Sequence, residues 1–275
     1  MSVKLSILTV VKDDLPGFNR TLDSIVPQLE SEVEWLIVDG STGNAIEDSI
    51  RAQTPSNNVR LLRHPPQGIY DAMNFALANT MGNWCWFINA GDVLLRNDSV
   101  ERALKLIVGA TTEGLIGTPV IYLTGRGFVF SVVEPSLHGL TRGNIHHQGA
   151  IFRTSVLNDF GGFRTDLKLT ADGELLDRLM PRISVRIDDF PLVGFFMGGA
   201  STRNFTLALR ETNSFREGFY TRGDILNLSL RNYFVKLLLE FESHKYLSWL
   251  VVPLLRRRER ELRNRKNIDF LNYST

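Results

Sequence analysis

Short apolar blocks alternate with longer amphipathic ones over the first ninety residues. Lys4–Val11 (KLSILTVV), Glu34–Asp39 (EWLIVD), Asn58–Arg63 (NVRLLR) and Trp84–Ile88 (WCWFI) read as strands, the first and fourth buried. The stretches between them read as helices. Pro16 suits a helix start, and that helix runs to about Leu29 with a break at Pro27. Asn44–Gln53 is the second helix and Gly68–Met81 the third, the latter with Ile69, Ala72, Met73, Ala76 and Leu77 on one face of a 3.6-residue repeat. Strand–helix alternation with near-continuous apolar strands predicts an α/β fold: a mainly parallel central sheet with flanking helices. Ligands of such sheets sit beyond the carboxyl ends of the strands. Two polar clusters fall at such ends, Asp39-Gly40-Ser41 and Asn89-Ala90-Gly91-Asp92.

After about residue 112 the pattern loosens. Leu115–Leu123 and Phe128–Val133 predict a hairpin turning at Gly125-Arg126-Gly127. Thr141–His147 reads as a loop, Gln148–Phe152 as a short strand, and Thr154–Phe160 as a short helix closed by Gly161-Gly162. Ala171–Leu179 is a helix stopped by Pro181, and Ser184–Met197 is extended. From Asn204 to about Lys266 the chain reads as helices.

Composition narrows the class. Of 275 residues 43% are hydrophobic and 22% charged, which excludes a disordered chain. A single cysteine, Cys85, excludes a disulfide framework. The first strand is too short for a signal-peptide core, and no window reaches the 18 or so apolar residues of a membrane span. The expected setting is therefore cytoplasmic. A net charge of +1 gives no reason to expect a nucleic-acid partner. That charge is uneven: residues 256–266 (RRRERELRNRK) carry +5, and with Asp269 counted the first 255 residues carry −3.

The runs EWLIVDGST, GIYDAMNFALANTMGNWCWFINAGD and HQGAIFRTSVLNDFGGF, followed by a helix opened by ADGE, stand in the order found in family-2 glycosyltransferases. The resemblance covers roughly residues 3–205 and is greatest to the bacterial exopolysaccharide branch of colanic acid type, which also carries a stretch like MGGAS at 197–201. It implies a GT-A fold, a nucleotide-sugar donor with UDP favoured, Mn²⁺ or Mg²⁺, and inversion at the sugar carbon. On this reading residues 1–205 form the GT-A domain. Residues 1–110 are its nucleotide-sugar-binding half, 111–205 its acceptor half, and 206–275 a C-terminal helical extension with a basic tail.

Sugar transfer needs charge stabilised on the leaving nucleoside diphosphate and a base for the acceptor hydroxyl. Asp92 is the candidate metal ligand, because oxygen ligands suit Mn²⁺ or Mg²⁺ shared with phosphates. Asn89 stands where relatives often carry the first acid of a D-x-D pair. It retains hydrogen bonding to a ribose or a ligated water but gives up a charge. Asp39 is the candidate acceptor for a base N–H, its bland alternative being a cap or Asx-turn before Gly40-Ser41. Thr9, Asp71 and Asn74 complete the expected donor set, with a core-strand role the alternative for Thr9 and first-turn electrostatics that for Asp71. His147 and Gln148 match the family's HQ and are assigned to the acceptor or diphosphate region, while adjacent histidines without ligand spacing argue against zinc. Asp172, at a helix opening, is the candidate catalytic base, with an N-cap role the alternative and Glu174 the competing carboxylate.

Tyr246–Leu255 (YLSWLVVPLL) is too short to span a bilayer but is followed at once by the arginine cluster. That pairing suits an interfacial anchor on an anionic leaflet, placing residues 246–266 at the inner face of the cell membrane near a glycan or lipid-linked glycan acceptor. A docked helix or a homodimer contact is the alternative. No G-x-G-x-x-G follows the first strand and no G-x-S-x-G elbow occurs, which excludes a dehydrogenase or a serine hydrolase of those types. The rival function is a non-catalytic GT-A-like nucleotide-sugar-binding subunit of a polysaccharide assembly complex.

Overall fold

The computed structural model describes residues 3–53, 58–65, 67–124, 126–127, 129–135, 145–197 and 204–216, and scattered positions beyond, namely 221, 223, 226, 230, 233, 237, 252–257 and 259–261. The predicted alternation is present. Strands β1 (Leu5–Val11), β2 (Val33–Asp39), β3 (Val59–Arg63) and β4 (Trp84–Phe87) are interleaved with helices α1 (Leu15–Ile25), α2 (Ala45–Gln53) and α3 (Ile69–Asn79). Asp14 caps α1 by accepting from Gly17 N at 2.9 Å, Pro16 stands in its first turn, and a 3₁₀ turn over Val26–Gln28 ends it at Pro27.

Next come β5 (Val93–Leu94), α4 (Ser99–Val108), β6 (Leu115–Gly117), β7 (Val120–Leu123) and β8 (Val129–Val133). These are followed by β9 (Ala150–Arg153), α5 (Thr154–Asp159), α6 (Ala171–Leu179), β10 (Val185–Ile187), β11 (Val193–Phe196) and α7 (Phe205–Phe215). The main sheet has the order β10-β6-β9-β4-β1-β2-β3, parallel throughout except for β9, which runs antiparallel to β4 and β6. A second sheet, β5-β11-β7-β8, stands beside it.

Both sides of the main sheet are covered, as the apolar strands demand. Leu5, Ile7, Trp35, Ile37 and Trp86 pack with α1 and α4 residues on one side, and Leu8, Leu36, Val38, Cys85 and Phe87 pack with α3 and α6 residues on the other. Cys85 is buried, and burial raises its thiol to about 12, so it is an inert core group.

The structure departs from these expectations in several places. The run 115–123 is two strands in two sheets, with Thr118-Pro119 at the switch, and 184–197 divides likewise between β10 and β11. Helix α4 has no counterpart among the predicted elements, although Val100, Ala103, Leu104 and Ile107 are buried at helical spacing. The buried face of α3 is rotated from the predicted one: Tyr70, Met73, Ala76 and Leu77 are buried, while Ile69 is 46% exposed.

The antiparallel β4–β9 pairing matters most for function. Its register sets Trp84 opposite Arg153 and Trp86 opposite Ile151. The residues just before β9 therefore run alongside the segment that leaves the carboxyl end of β4. Trp86 Nε1 fixes them there by donating to Gln148 O at 2.6 Å. A 3₁₀ turn, His147–Gly149, precedes β9, and it needs its glycine: a Cβ on Gly149 would stand 2.3 Å from Thr118 O.

Candidate active site

The segment after β4 turns sharply at Asn89–Asp92, where Asp92 N donates to Asn89 O at 2.9 Å and Gly91 takes φ 101°, a conformation open to glycine. Thr21, buried on α1, holds the turn by donating to Asp92 O at 2.7 Å and accepting from Gly91 N at 3.0 Å. The Asp92 side chain is thereby held inside, in a residue only 4% exposed. Burial pushes its carboxyl up to about 7 against the charge of His147 and hydrogen bonds from the Asn89 backbone and the Gln148 side chain.

His147 is bonded to one candidate carboxylate and feels the charge of the other. Its Nδ1 lies 2.8 Å from Asp172 Oδ2, and it interacts with the charge of Asp92. Asp172 sits in the first turn of α6, and its Oδ1 accepts from Tyr70 OH at 2.8 Å. Burial alone would raise Asp172, but the hydrogen bond and charge of His147, with the Tyr70 hydroxyl, pull it down to about 2. Burial works against protonation of His147 too, yet its bond to Asp172 and the two carboxylate charges raise its pKa. Tyr70 is raised by burial and by the Asp172 charge, so it stays a donor. His146 turns the other way: its Nε2 meets Tyr122 OH at 2.6 Å, and burial with the His147 charge lowers it to about 4, leaving it neutral.

Three buried polar atoms in this region have no hydrogen-bond partner: Asn89 Oδ1, His147 Nε2 and Gln148 Oε1. Such groups are costly in a finished core and are normally satisfied, so an unmatched set points to a ligand. The competing carboxylate is engaged elsewhere. Glu174 Oε1 pairs with Arg178 Nε at 3.0 Å, and Arg178 also donates to Phe160 O and Gly162 O.

The expected donor residues divide. Asp39 ends β2 as predicted and is buried; Oδ1 accepts from Ser41 N at 2.8 Å, as an Asx-turn would, and Oδ2 lies 2.8 Å from Arg63 Nη1. Asp71 Oδ2 is 2.7 Å from His64 Nε2, whose ring stacks on Phe75 at 4.1 Å. Thr9 and Asn74 are engaged inside the fold. Thr9 is fully buried, donating to Ile88 O at 2.6 Å and accepting from Trp35 Nε1 at 2.9 Å, so its hydroxyl is spent in the core. Asn74 clasps a backbone: Nδ2 donates to Phe163 O and Oδ1 accepts from Phe163 N, both at 2.8 Å. Tyr70, placed off the apolar face by sequence, is the residue that sequence reasoning misses; its only signal is its seat beside Asp71 in GIYDAMN. The Gly198-Gly199 and Ser201 stretch lies outside the described residues.

The glycosyl transferase family 2 model matches residues 6–161, more than half of the chain. The chain belongs to glycosyl transferase family 2. An uncharacterised glycosyltransferase of Mycobacterium tuberculosis is 28% identical over 178 residues, 63% of this chain and 68% of that protein. Staphylococcus aureus TarS 1–349, solved in complex with UDP, superposes with a TM-score of 0.56 at 18% identity, over 74% of this chain and 63% of that one. The mannosyltransferase PcManGT of Pyrobaculum calidifontis, solved with GDP-Man and Mn²⁺, gives 0.59 at 14% identity over 94% of this chain and 74% of its own. The fold of this family 2 member is accordingly GT-A. The sequence likeness found is to mycobacterial glycosyltransferases, which supports the family expected from the motifs and not the finer exopolysaccharide branch.

The family implies a divalent cation. Among the described residues no group of three or more His, Cys, Asp or Glu side chains is placed to hold a metal ion. One buried carboxylate with neutral oxygen acceptors beside it does not make a closed protein cage. It does fit a hard cation whose remaining ligands come from a diphosphate.

Proposed function

We propose that this protein is an inverting glycosyltransferase that moves a sugar from a nucleoside-diphospho-sugar to a hydroxyl of a lipid-linked glycan. The observation that supports the reading is His147, which is bonded to the candidate acceptor-side carboxylate, Asp172, at 2.8 Å and lies near enough to the candidate donor-side carboxylate, Asp92, to feel its charge. A bound Mn²⁺ or Mg²⁺ would supply charge neutralisation to the departing diphosphate, with Asp92 its protein ligand and Asn89 beside it. Asp172, ionised and held by Tyr70 and His147, accepts the proton of the acceptor hydroxyl. The freed oxygen forms its bond to the sugar carbon as the bond to the diphosphate breaks, and the electron pair leaves with the phosphate oxygen. His147 Nε2 and Gln148 Oε1 face the diphosphate or the acceptor. Asp39 and Asp71 flank the end of the sheet where the nucleoside would lie.

The donor is tested by thermal shift. A ligand that binds only the native state raises the melting temperature, by an amount set by about RT ln(1 + [L]/Kd). UDP-, GDP- and dTDP-sugars are compared with and without Mn²⁺. A rise with one nucleotide that depends on the metal is expected; equal curves for all, with and without metal, defeat the donor assignment. The rival subunit reading, favoured by Asn89 in place of an acid, predicts the rise without any release of nucleoside diphosphate.

The acceptor proposal rests on the surface. Among the described residues no helix is long and apolar enough to cross a membrane. Leu226, Leu230 and Tyr233 are helical, spaced four and three apart, and 60–65% exposed. Leu254 is 64% exposed beside exposed Arg256 and Arg257, while most of 246–266 lies outside the described residues. Exposed apolar side chains, Leu254 among them beside arginines, suit an anionic leaflet. The full chain is expected to co-sediment with vesicles containing phosphatidylglycerol and not with phosphatidylcholine alone. Arg256→Glu with Arg257→Glu should weaken that binding at least about thirtyfold, at roughly 1 kcal/mol per basic residue lost near the surface. Unchanged sedimentation of the double variant removes the anchor.

A further inference from the structure

The helix that follows the GT-A motifs is tied to the segment carrying the candidate base. Glu211, on α7, accepts three hydrogen bonds from the residues entering α6: Lys168 N at 2.8 Å on Oε1, and Leu169 N at 2.9 Å and Thr170 Oγ1 at 3.1 Å on Oε2. Thr170 is the N-cap residue of α6, yet its hydroxyl does not cap its own helix. The carboxylate of a distant helix holds it instead. A second tie lies further along, where Arg216 pairs with Asp177, Nη2 to Oδ1 at 2.8 Å. Phe215 adds an apolar contact to the core on the α6 side of the sheet.

The geometry of Asp172 explains why such a clamp has a use. Both of its oxygens are committed at 2.8 Å, one to Tyr70 OH on α3 and the other to His147 Nδ1 before β9. Three elements must therefore agree in position. Residue 172 stands two after the cap, so a small swing of 168–170 moves the carboxylate off both partners. Local capping would fix only the first turn; a carboxylate supplied by α7 fixes the direction in which α6 sets out.

We propose that Glu211 is a positioning residue: α7 belongs to the catalytic unit because its carboxylate fixes the entry of α6 and so aims Asp172 at the acceptor. The inference rests on the glycosyltransferase reading for its kinetic arm but not for its structural one. Glu211→Ala is expected to lower turnover about 10- to 100-fold, the size of effect that a misplacement near 1 Å produces. The donor KM stays within about threefold, since uniform binding is untouched. Turnover is read as UDP released from UDP-GlcNAc, or GDP from GDP-mannose, with water or glycan as acceptor.

Hydrogen exchange at Lys168 and Leu169 should be slow in the full wild-type chain and fast in the variant. The downfield proton resonance of His147 Nδ1–H, present while Asp172 accepts it, should fade in the variant. Glu211→Gln keeps one acceptor oxygen but turns its amide nitrogen toward a donor, so its turnover should lie between those of the Ala variant and wild type. The proposal is overturned if turnover of the Ala variant stays within about twofold while exchange at 168–170 rises, or if donor KM and turnover change in step. It is overturned as well if the His147 resonance is unchanged. A wild-type protein that releases neither UDP nor GDP would instead defeat the glycosyltransferase reading, and the exchange and resonance measurements would still decide whether Glu211 aims Asp172.

Discussion

Asp172→Asn should reduce turnover by about 10²- to 10⁴-fold, the range of a lost general base, while leaving donor affinity within about threefold. The asymmetry follows from position. Asp172 opens α6, and its two oxygens meet Tyr70 and His147, whereas Asp39, Asp71 and Asn89 lie with the strands and helices of the amino-terminal half. Asparagine keeps the volume but cannot take a proton, and its amide nitrogen confronts either the Tyr70 hydroxyl or the His147 N–H, both donors to the native carboxylate. Because Asp172 is held near 2, it is ionised across the working range, and protonation of Asp172 in the free protein should leave no acid limb above about pH 5 in a profile of kcat/KM. Glu174→Gln is the paired control. Its carboxylate is engaged with Arg178, so its loss should act on stability rather than on turnover. Near-wild-type transfer by the Asp172 variant would remove the base assignment, and a matching collapse in the Glu174 variant would relocate it.

What the sequence reveals and what it hides divide along one physical line, the distance over which the information is carried. Strands β1, β2 and β4 and helices α2 and α6 are legible because local apolar period and turn residues specify them. The switch of 115–123 from one sheet to the other is not, because only Pro119 marks it locally and the choice of sheet depends on partners elsewhere in the chain. Helix α4 is legible in principle, since Val100, Ala103, Leu104 and Ile107 carry the period. At the site, Asp92 and Asp39 declare themselves as acids at strand ends, and Asp172 as an acid at a helix opening. Thr9 and Asn74 look equally polar in sequence. Each side chain has a partner far away in the chain, Trp35 for one and Phe163 for the other, and such pairing cannot be read from a window. Tyr70 fails in the opposite sense: the helical period leaves it off the predicted apolar face, and only the fold shows it buried with a carboxylate at its hydroxyl.

Asp92→Asn should abolish the metal-dependent part of the donor-induced thermal shift and lower turnover at least about 100-fold, a loss of the several kcal/mol that charge stabilisation supplies. The same substitution should make the ligand-free protein more stable at pH 8. The sign follows from the carboxyl's position. In the unfolded chain Asp92 ionises at its ordinary value near 3.8, whereas burial in the native protein holds it protonated to about 7. Between those values the native state binds the extra proton, so stability falls as pH rises through that window, and above it the full penalty of a buried charge is present. His147 tilts the protein the same way. Its raised pKa contributes stability below its unfolded value that is lost as pH climbs through the folded one.

Asparagine removes the first of these slopes and, by deleting the neighbouring negative charge, reduces the second. Denaturant unfolding should therefore show the variant more stable by about 1–3 kcal/mol at pH 8 and nearly equal to wild type at pH 5. A carboxylate kept where it weakens the fold makes sense if a cation and a diphosphate meet it there. If the variant instead keeps its Mn²⁺-dependent shift and its turnover, the cation is held elsewhere. If its stability tracks wild type at both pH values, the Asp92 carboxyl is not the strained group this geometry makes it.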